Sequence, residues 1–179
     1  MKRWAALLRG VNLGGRKLLS KDLQAVTQSL GFARVATLLA SGNVVFDSDL
    51  PGPEIESKLE EALLAQGLTT DVVVRDLAEM RAVIAANPFP EAVLDHPSHM
   101  LITFHRDPFP AEALERHGPV HAGPEILVAN GRELYTDYVS QQNMRDSKLL
   151  QTMKKAKFPA IATARNWNTV GKLAEMLAD

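Results

Sequence analysis

The sequence contains no cysteine, which excludes disulfide bonds, thiolate metal ligands and thiol nucleophiles. It also contains no apolar run near the ~20 residues that a membrane-spanning helix needs. The apolar residues 4–8 are followed by Arg9, too soon for the apolar core of a signal peptide, which takes roughly 7–15 residues. We therefore expect a soluble, cytoplasmic protein that does not contact a membrane.

Acidic residues are scarce at both ends of the chain and abundant in its centre. Residues 1–46 hold seven Lys or Arg and one acid, residues 47–144 hold six and seventeen, and residues 145–179 hold seven and three. The regional net charges are therefore +6, −11 and +4, within a total of −1. If the fold brings the two basic ends together, they form a positively charged pocket for an anionic ligand.

The bulk composition is that of a globular protein, with 46% apolar and 23% charged residues among 179. In the first half, apolar periodicity and turn residues predict the order β-α-β-β-α-β over roughly 75 residues. A hairpin turn is predicted at Ser41-Gly42-Asn43, and Asp76 and Glu79 form a capping box for the next helix. Along the helix after Pro53, Glu54, Glu56, Glu60 and Glu61 are expected to form a solvated face. This order predicts a ferredoxin-like subdomain.

The second half reads differently. Residues 87–98 contain three prolines and suggest a linker. A strand at about 99–105, a short helix near Pro110 and a hairpin turned on Asn130-Gly131 follow. Two helices are predicted near 146–157 and 166–177, and no internal repeat is evident. We expect an α+β protein with two small α/β subdomains, residues 1–86 and 87–179.

The glycine-rich segment after the first strand suits an anion, because glycines expose backbone N–H groups and Arg and Lys add charge. Its spacing from Gly10 to Lys17 is similar to that of a phosphate-binding P-loop. However, Arg16 replaces the essential Lys, and Lys17 replaces the hydroxyl that binds Mg²⁺. A nucleotide-hydrolysing P-loop is therefore not expected, whereas anion binding and a purely structural loop both remain open.

The segment Arg165-Asn166-Trp167-Asn168 lies at the predicted start of the last helix. Its polar side chains either satisfy buried groups or grip a ligand at the positive end of the helix dipole. Trp167 falls near the apolar stripe of that helix. Its side chain is therefore either buried in the core or available to stack on a base or sugar.

No other constellation indicates chemistry. His96 and His99 lack metal-ligand spacing, so we expect no metal. No histidine lies near Ser41 in sequence to activate it as a nucleophile. We also expect no cofactor. An RNA-binding sheet of this type needs aromatic side chains on two central strands, which here offer only Trp4 and Phe46. Nucleic acid is thus an open but not favoured partner.

Several motifs occur in a family-specific order. They are Leu7-Leu8-Arg9-Gly10-Val11-Asn12-Leu13-Gly14-Gly15, Ser41-Gly42-Asn43-Val44-Val45-Phe46, Asn87-Pro88-Phe89, Ser147-Lys148-Leu149 and Arg165-Asn166-Trp167-Asn168-Thr169-Val170. Together they resemble the bacterial family of uncharacterised proteins called domain of unknown function sixteen-ninety-seven. The resemblance implies two α/β subdomains, the first ferredoxin-like, and no known activity. The sequence differs from the family pattern at one place. Members often have a stretch containing Gly and Arg before Ser-Lys-Leu, whereas this sequence has Gln142-Asn143-Met144-Arg145-Asp146.

From these patterns we predict a protein that binds a small anionic ligand, nucleotide- or phosphate-like, between its basic N- and C-terminal motifs. An enzyme of unknown reaction using the same pocket and a nucleic-acid-associated protein are the alternatives, and the oligomeric state is left open. The candidate ligand contacts are Arg9, Asn12, Gly14, Gly15, Arg16, Lys17, Ser41, Asn43, Lys148, Arg165, Asn166, Trp167 and Asn168.

Overall fold

A computed structural model describes residues 1–11, 17–38 and 42–179. The chain forms two compact units, and the boundaries between them fall inside two helices. Unit 1 comprises Met1–Ala82 and Gly171–Asp179, and unit 2 comprises Val83–Val170. The mixed α+β class with two subdomains is confirmed, while the predicted boundary between residues 86 and 87 stays a prediction.

Unit 1 is built on a four-stranded antiparallel sheet with the strand order β2-β3-β1-β4. The predicted order β-α-β-β-α-β is confirmed. The elements are β1 (Lys2–Leu8), α1 (Ser20–Ser29), β2 (Ala33–Leu38), β3 (Asn43–Ser48), α2 (Gly52–Ala65), β4 (Val72–Asp76) and α3 (Leu77–Ala85).

Burial explains the continuous apolar run of β1, which is a central strand paired with both β3 and β4. Trp4, Ala6 and Leu8 point to one face and join the core formed with α1 and α2. Ala5 and Leu7 point to the other face and are also fully buried. Since both faces are covered, alternation of apolar and polar residues is absent from this strand.

The expectation of a solvated acidic face on α2 is wrong for two of its glutamates. Glu56 Oε1 accepts a hydrogen bond from the backbone N–H of Val74 at 3.0 Å, and Glu60 Oε1 accepts one from Val72 at 2.8 Å. Both donors belong to the edge strand β4, whose outer N–H groups would otherwise lack a strand partner. These two glutamates therefore satisfy a sheet edge, and Glu56 is buried as a result.

Unit 2 carries a second four-stranded antiparallel sheet, with the strand order β6-β7-β5-β8. Its elements are α4 (Ala92–Asp95), β5 (Met100–His105), α5 (Ala111–His117), β6 (Ile126–Asn130), β7 (Glu133–Asp137), α6 (Gln141–Asp146), α7 (Leu149–Lys155), β8 (Ala162–Asn166) and α8 (Trp167–Ala178). Short 3₁₀ turns lie at Pro97–His99 and Gly118–Val120. The predicted hairpin turn at Asn130-Gly131 is confirmed, with Gly131 at φ 60°.

Two features of unit 2 differ from the sequence prediction. The helix predicted near 146–157 is interrupted, so that α6 ends at Asp146 and α7 begins at Leu149. The strand β8 was not predicted, because its alternating burial rests on Thr163 and Arg165 rather than on large apolar residues. With β8 included, unit 2 repeats the element and strand order of unit 1, a relationship that the sequence does not reveal.

Candidate functional site in unit 2

The predicted N-terminal site residues lie in unit 1. Arg9 follows β1, and its guanidinium pairs with the Asp71 carboxylate at 2.9 Å. Lys17 precedes α1 and is exposed. The predictions for Asn12, Gly14, Gly15, Arg16 and Ser41 concern positions outside the described residues. Part of the predicted positive charge, that of Arg9, is therefore already paired within the chain.

Asn43 starts β3 and is fully buried. Its side-chain amide donates to the carbonyl oxygen of Leu38 on β2 at 3.2 Å. Next to it, Gly42 has φ +73°, and a Cβ at this position would overlap a methyl group of Val11 and lie 3.0 Å from Leu8 Cβ. The geometry around Gly42 and Asn43 is that of a tightly packed hairpin, and a ligand contact by Asn43 stays a prediction.

The predicted C-terminal site residues lie in unit 2. Arg165 is a buried residue of β8, and it donates to Thr163 Oγ1 at 2.6 Å and to the carbonyl of Ala164 at 2.8 Å. Burial lowers the pKa of its guanidinium to about 10. Asn166 Oδ1 accepts from the backbone N–H of Thr169 at 2.9 Å and thus caps α8.

Trp167, the first residue of α8, is half-buried, and Asn168 is exposed. In this segment, Arg165 and Asn166 hydrogen-bond within the chain, and Asn168 is the most accessible of the predicted contacts. The predicted common site of the N- and C-terminal motifs joins residues of unit 1 and unit 2, and it stays a prediction.

One predicted residue, Lys148, lines a cavity of about 460 Å³ inside unit 2. This volume lies within the range of about 300–1,000 Å³ that is typical of small-molecule sites. The lining residues come from the loop before β6 and from the region of the α6–α7 break. They are Val120, His121, Ala122, Gly123, Pro124, Glu125, Asn143, Asp146, Ser147, Lys148, Leu149, Gln151, Thr152 and Lys155.

Two lysines bring positive charge to this cavity. Lys148 immediately precedes α7, and Lys155 is the last residue of that helix. Both are exposed, and neither ammonium group has an ion-pair partner among residues 1–11, 17–38 and 42–179. Unpaired ammonium groups at the rim of a cavity are available to an anionic group of a ligand.

The cavity also contains a buried carboxylate. Glu125 is 5% exposed, and its Oε1 accepts a short hydrogen bond from the Ser147 hydroxyl. Its second oxygen, Oε2, is buried without a hydrogen-bond partner in the described parts of the chain. A Cβ on Gly123 would overlap this carboxylate, so the glycine leaves the space that Glu125 occupies. Burying an unsatisfied carboxylate oxygen costs stability.

Two histidines adjoin the carboxylate. The rings of His117 and His121 are tilted against each other with centroids 4.9 Å apart. His121 Nε2 lies 2.9 Å from the backbone carbonyl of Glu125 and 3.9 Å from its Oε2. His117 Nε2 lies 2.8 Å from Thr152 Oγ1. Burial, followed by the neighbouring His121, lowers the pKa of His117, although the charge of Glu125 opposes this.

Glu125, His121 and Lys155 were not among the predicted site residues. The available signal was the spacing of four residues from His117 to His121 and again to Glu125. This spacing normally indicates one face of a helix, but here the helix ends at His117 and a 3₁₀ turn and loop bring the three together. No group of three or more His, Asp or Glu residues within the described ranges is arranged to hold a metal ion.

Comparison with known proteins agrees with the motif resemblance. A family model described as Protein of unknown function (DUF1697) matches residues 1–135. The chain belongs to this family. The DUF1697 match covers unit 1 except for its C-terminal segment, and it reaches the loop with His121 and Glu125 but stops before Ser147 and Lys148.

The fold of this DUF1697 protein is similar to that of a solved bacterial structure. That structure is the conserved bacterial protein SP0830 from Streptococcus pneumoniae, with a TM-score of 0.78, 20% sequence identity, and coverage of 100% of this chain and 99% of the other. At this identity the similarity extends to the fold alone. Comparison with curated protein sequences gives no match. Among the described helices, none is long and apolar enough to cross a membrane.

Proposed function

We propose that this DUF1697 protein binds a small anionic ligand in the cavity of unit 2. The observation that carries the proposal is the pair of lysines, Lys148 and Lys155, at one cavity of small-molecule size. The two side chains flank opposite ends of α7 and lack ion-pair partners in the described residues. A phosphate or carboxylate is the chemistry that ammonium groups bind.

The cavity also holds two carboxylates, and both accept hydrogen bonds from neutral side chains. The Glu125 carboxylate is buried and accepts from Ser147, so it is not presented to the rim. Asp146 is exposed, and its Oδ2 accepts from Gln142 Nε2 at 2.5 Å. The two exposed ammonium groups have no ion-pair partner in the described residues, and they support binding of an anion.

A thermal-shift screen of the full chain tests the proposal. The panel contains inorganic phosphate, glycerol 3-phosphate, ribose 5-phosphate, nucleotides and short oligonucleotides. A ligand at 100 times its dissociation constant should stabilise the protein by about 2.7 kcal/mol. The proposal fails if no anion raises the melting temperature, and a shift that appears only with oligonucleotides and disappears with added salt favours the nucleic-acid alternative instead.

Matched lysine variants then locate the site. The double variant Lys148→Gln, Lys155→Gln should lose most of the shift. The double variant Lys154→Gln, Lys157→Gln changes the same number of exposed lysines in the same segment, neither of which lines the cavity, and should retain it. If Arg16→Gln with Lys17→Gln abolishes the shift and the cavity variant does not, the ligand is held by the terminal motifs that sequence analysis favoured.

For the fold, we propose a ferredoxin-like assignment of unit 1, supported by its strand order β2-β3-β1-β4. The cytoplasmic location and the choice between a binding protein and an enzyme remain sequence-based predictions. No reaction is assigned to the cavity.

A further inference from the structure

The cavity presents hydrogen-bond acceptors beside its two lysines. Asp146 contributes an exposed carboxylate that accepts only, whereas the side-chain amides of Asn143 and Gln151 can donate as well as accept. An anion alone satisfies the lysines and offers no hydrogen to the acceptors beside them.

Among these acceptors, Ser147 has the hydrogen-bond role that its partners define most completely. Its hydroxyl donates to Glu125 Oε1, and its oxygen accepts from the backbone N–H of Leu149 at 3.1 Å. A hydroxyl has one donor hydrogen and two lone pairs. Because the carboxylate takes the hydrogen and Leu149 takes one lone pair, Ser147 keeps one lone pair and no hydrogen for a ligand.

The hydrogen-bond roles of His121 are also set by Glu125. Its Nε2 faces the carbonyl oxygen of Glu125 at 2.9 Å, and because a carbonyl only accepts, Nε2 carries the hydrogen. In the neutral ring the other nitrogen, Nδ1, is then an acceptor. Glu125 therefore fixes both neighbours, Ser147 through its side chain and His121 through its backbone.

Glu125 performs this role at a cost in stability. Its Oε2 is buried without a hydrogen-bond partner in the described residues, and a Cβ on Gly123 would collide with it. A buried unsatisfied carboxylate oxygen is unusual in a part of a protein that serves stability alone. Here the unsatisfied oxygen lies beside a cavity, in the carboxylate that accepts from Ser147.

We propose that the ligand of this cavity carries a hydroxyl or ammonium donor next to its anionic group, and that Glu125 is a positioning residue that holds Ser147 as the acceptor for that donor. This inference rests on the proposed function. Polyol or sugar phosphates and amino-alkyl phosphates share the required chemistry, because both combine an anion for Lys148 and Lys155 with a donor for Ser147.

Matched phosphate esters test this inference by isothermal titration calorimetry with the full chain. Methyl phosphate carries the anion without a donor, glycerol 3-phosphate adds hydroxyls, and phosphoethanolamine adds an ammonium group. At least one of the donor-bearing esters should bind roughly tenfold more tightly than methyl phosphate, the effect of one hydrogen bond of ordinary to charged strength. Which of the two binds more tightly distinguishes the hydroxyl from the ammonium source.

Variants assign the preference to Ser147 and Glu125. Ser147→Ala should reduce the roughly tenfold preference to about onefold while leaving methyl phosphate affinity within about twofold. Glu125→Leu keeps a similar side-chain size but removes both carboxylate oxygens, so the Ser147 hydroxyl loses its acceptor and can turn its hydrogen into the cavity. This variant should also reduce the preference. Glu115→Leu changes an exposed glutamate of α5 away from the cavity, is the matched control and should retain the preference.

The outcomes separate this inference from the proposed function. Equal affinity for methyl phosphate and both donor-bearing esters overturns the inference and leaves anion binding intact. No binding of any ester to the wild type overturns both. If Ser147→Ala does not fold, as judged by its melting curve, Glu125→Leu alone decides the positioning role, and a preference retained in that variant contradicts it.

Discussion

Units 1 and 2 have the same strand order and the same turn from the last strand into a helix. β4 ends in Arg75-Asp76 and β8 ends in Arg165-Asn166. Each Arg is buried and donates to the carbonyl of the residue before it at 2.8 Å. In each unit the following Asx side chain accepts from the backbone N–H three residues later at 2.9 Å. The similarity assigns this Arg-Asx pair a structural role.

The units differ in the helical region that precedes the last strand. In unit 1 this region is one helix of 14 residues, α2. In unit 2 it is broken into α6 and α7, with six and seven residues, and the break contains Ser147 and Lys148. The cavity lies at this break. A continuous helix uses its inward groups for packing, whereas an interrupted one leaves side chains at the gap available to a ligand.

Each unit also buries one glutamate, and the two are treated differently. Glu56 accepts the N–H of Val74 on an edge strand, which is a purely structural use of a carboxylate. Glu125 has a serine as its side-chain partner and an unsatisfied second oxygen within the described chain. Comparison of the two indicates that burial of a glutamate is not by itself a functional signal. The hydrogen-bond partners of the carboxylate distinguish a structural role from a functional one.

The largest effect is expected at the hairpin glycines. Gly42 joins β2 to β3, and Gly131 joins β6 to β7, at φ +73° and +60°. Alanine at Gly131 meets only Glu133 Oε2 at 3.9 Å and should cost about 1 kcal/mol through backbone strain. Alanine at Gly42 also overlaps Val11 and should cost about 3 kcal/mol.

Urea unfolding of both alanine variants measures this difference. Trp4 lies in unit 1 and Trp167 in unit 2. The variant Trp167→Phe therefore leaves Trp4 as the fluorescent reporter of unit 1, and Trp4→Phe leaves Trp167 as the reporter of unit 2. Equal losses of stability for Gly42→Ala and Gly131→Ala would contradict the close packing described for the unit 1 hairpin.

A smaller effect is expected at the two helix caps. Asp76→Ala and Asn166→Ala should each cost about 1 kcal/mol at pH 7, because each removes the acceptor for one helix N–H group. Asp76→Asn should recover most of the loss, since Asn caps about as well as Asp. Urea midpoints measure all three variants.

The two caps should differ in acid. Burial opposes ionisation of Asp76, but hydrogen bonds from Glu79 and Ala78 and the nearby Lys2 outweigh it and lower its pKa below 3.8. The folded state thus holds its proton less tightly than the unfolded state, so its contribution is present above pH 3.8 and is lost as the pH falls through the folded-state pKa. The cost of Asp76→Ala should shrink from pH 7 to pH 3, while the cost of Asn166→Ala should not.

The fold was more predictable than the site. Turn chemistry located Asn130-Gly131 and the Asp76–Glu79 capping box, because these signals depend on adjacent residues. The first strand of the predicted order is β1, whose apolar run fits a central strand, since a strand buried on both faces needs no alternation. β8 escaped prediction because its inward residues, Thr163 and Arg165, are polar.

The cavity depends on contacts that sequence spacing does not encode. Lys148 was singled out by its motif, but its neighbour across the cavity, Glu125, lies 23 positions away. Glu56 and Glu60 were read as solvated because periodicity does not reveal that an edge strand lies beside them. Local rules predict elements, whereas the partners of a polar side chain follow from tertiary packing.

The smallest effect concerns pH, and it also distinguishes the units. All five histidines, at positions 96, 99, 105, 117 and 121, lie in unit 2. Burial lowers the pKa of His117 below 6.5, with its ring packed against His121 and Phe158. The unfolded state therefore binds this proton more tightly, so stability is fully present above pH 6.5 and is lost as the pH falls toward the folded-state pKa.

Melting curves between pH 7.5 and 5.5 should show this loss in the Trp167 signal of a Trp4→Phe background. His117→Gln can still donate to Thr152 Oγ1 but does not titrate, so it should flatten the pH dependence. His99→Gln, which changes another histidine of unit 2, is the control. If Trp4 reports the same loss of stability in a Trp167→Phe background, either the units unfold together or the acid-sensitive group lies outside unit 2. His117→Gln distinguishes the two explanations, because it abolishes the acid-induced loss only in the first case.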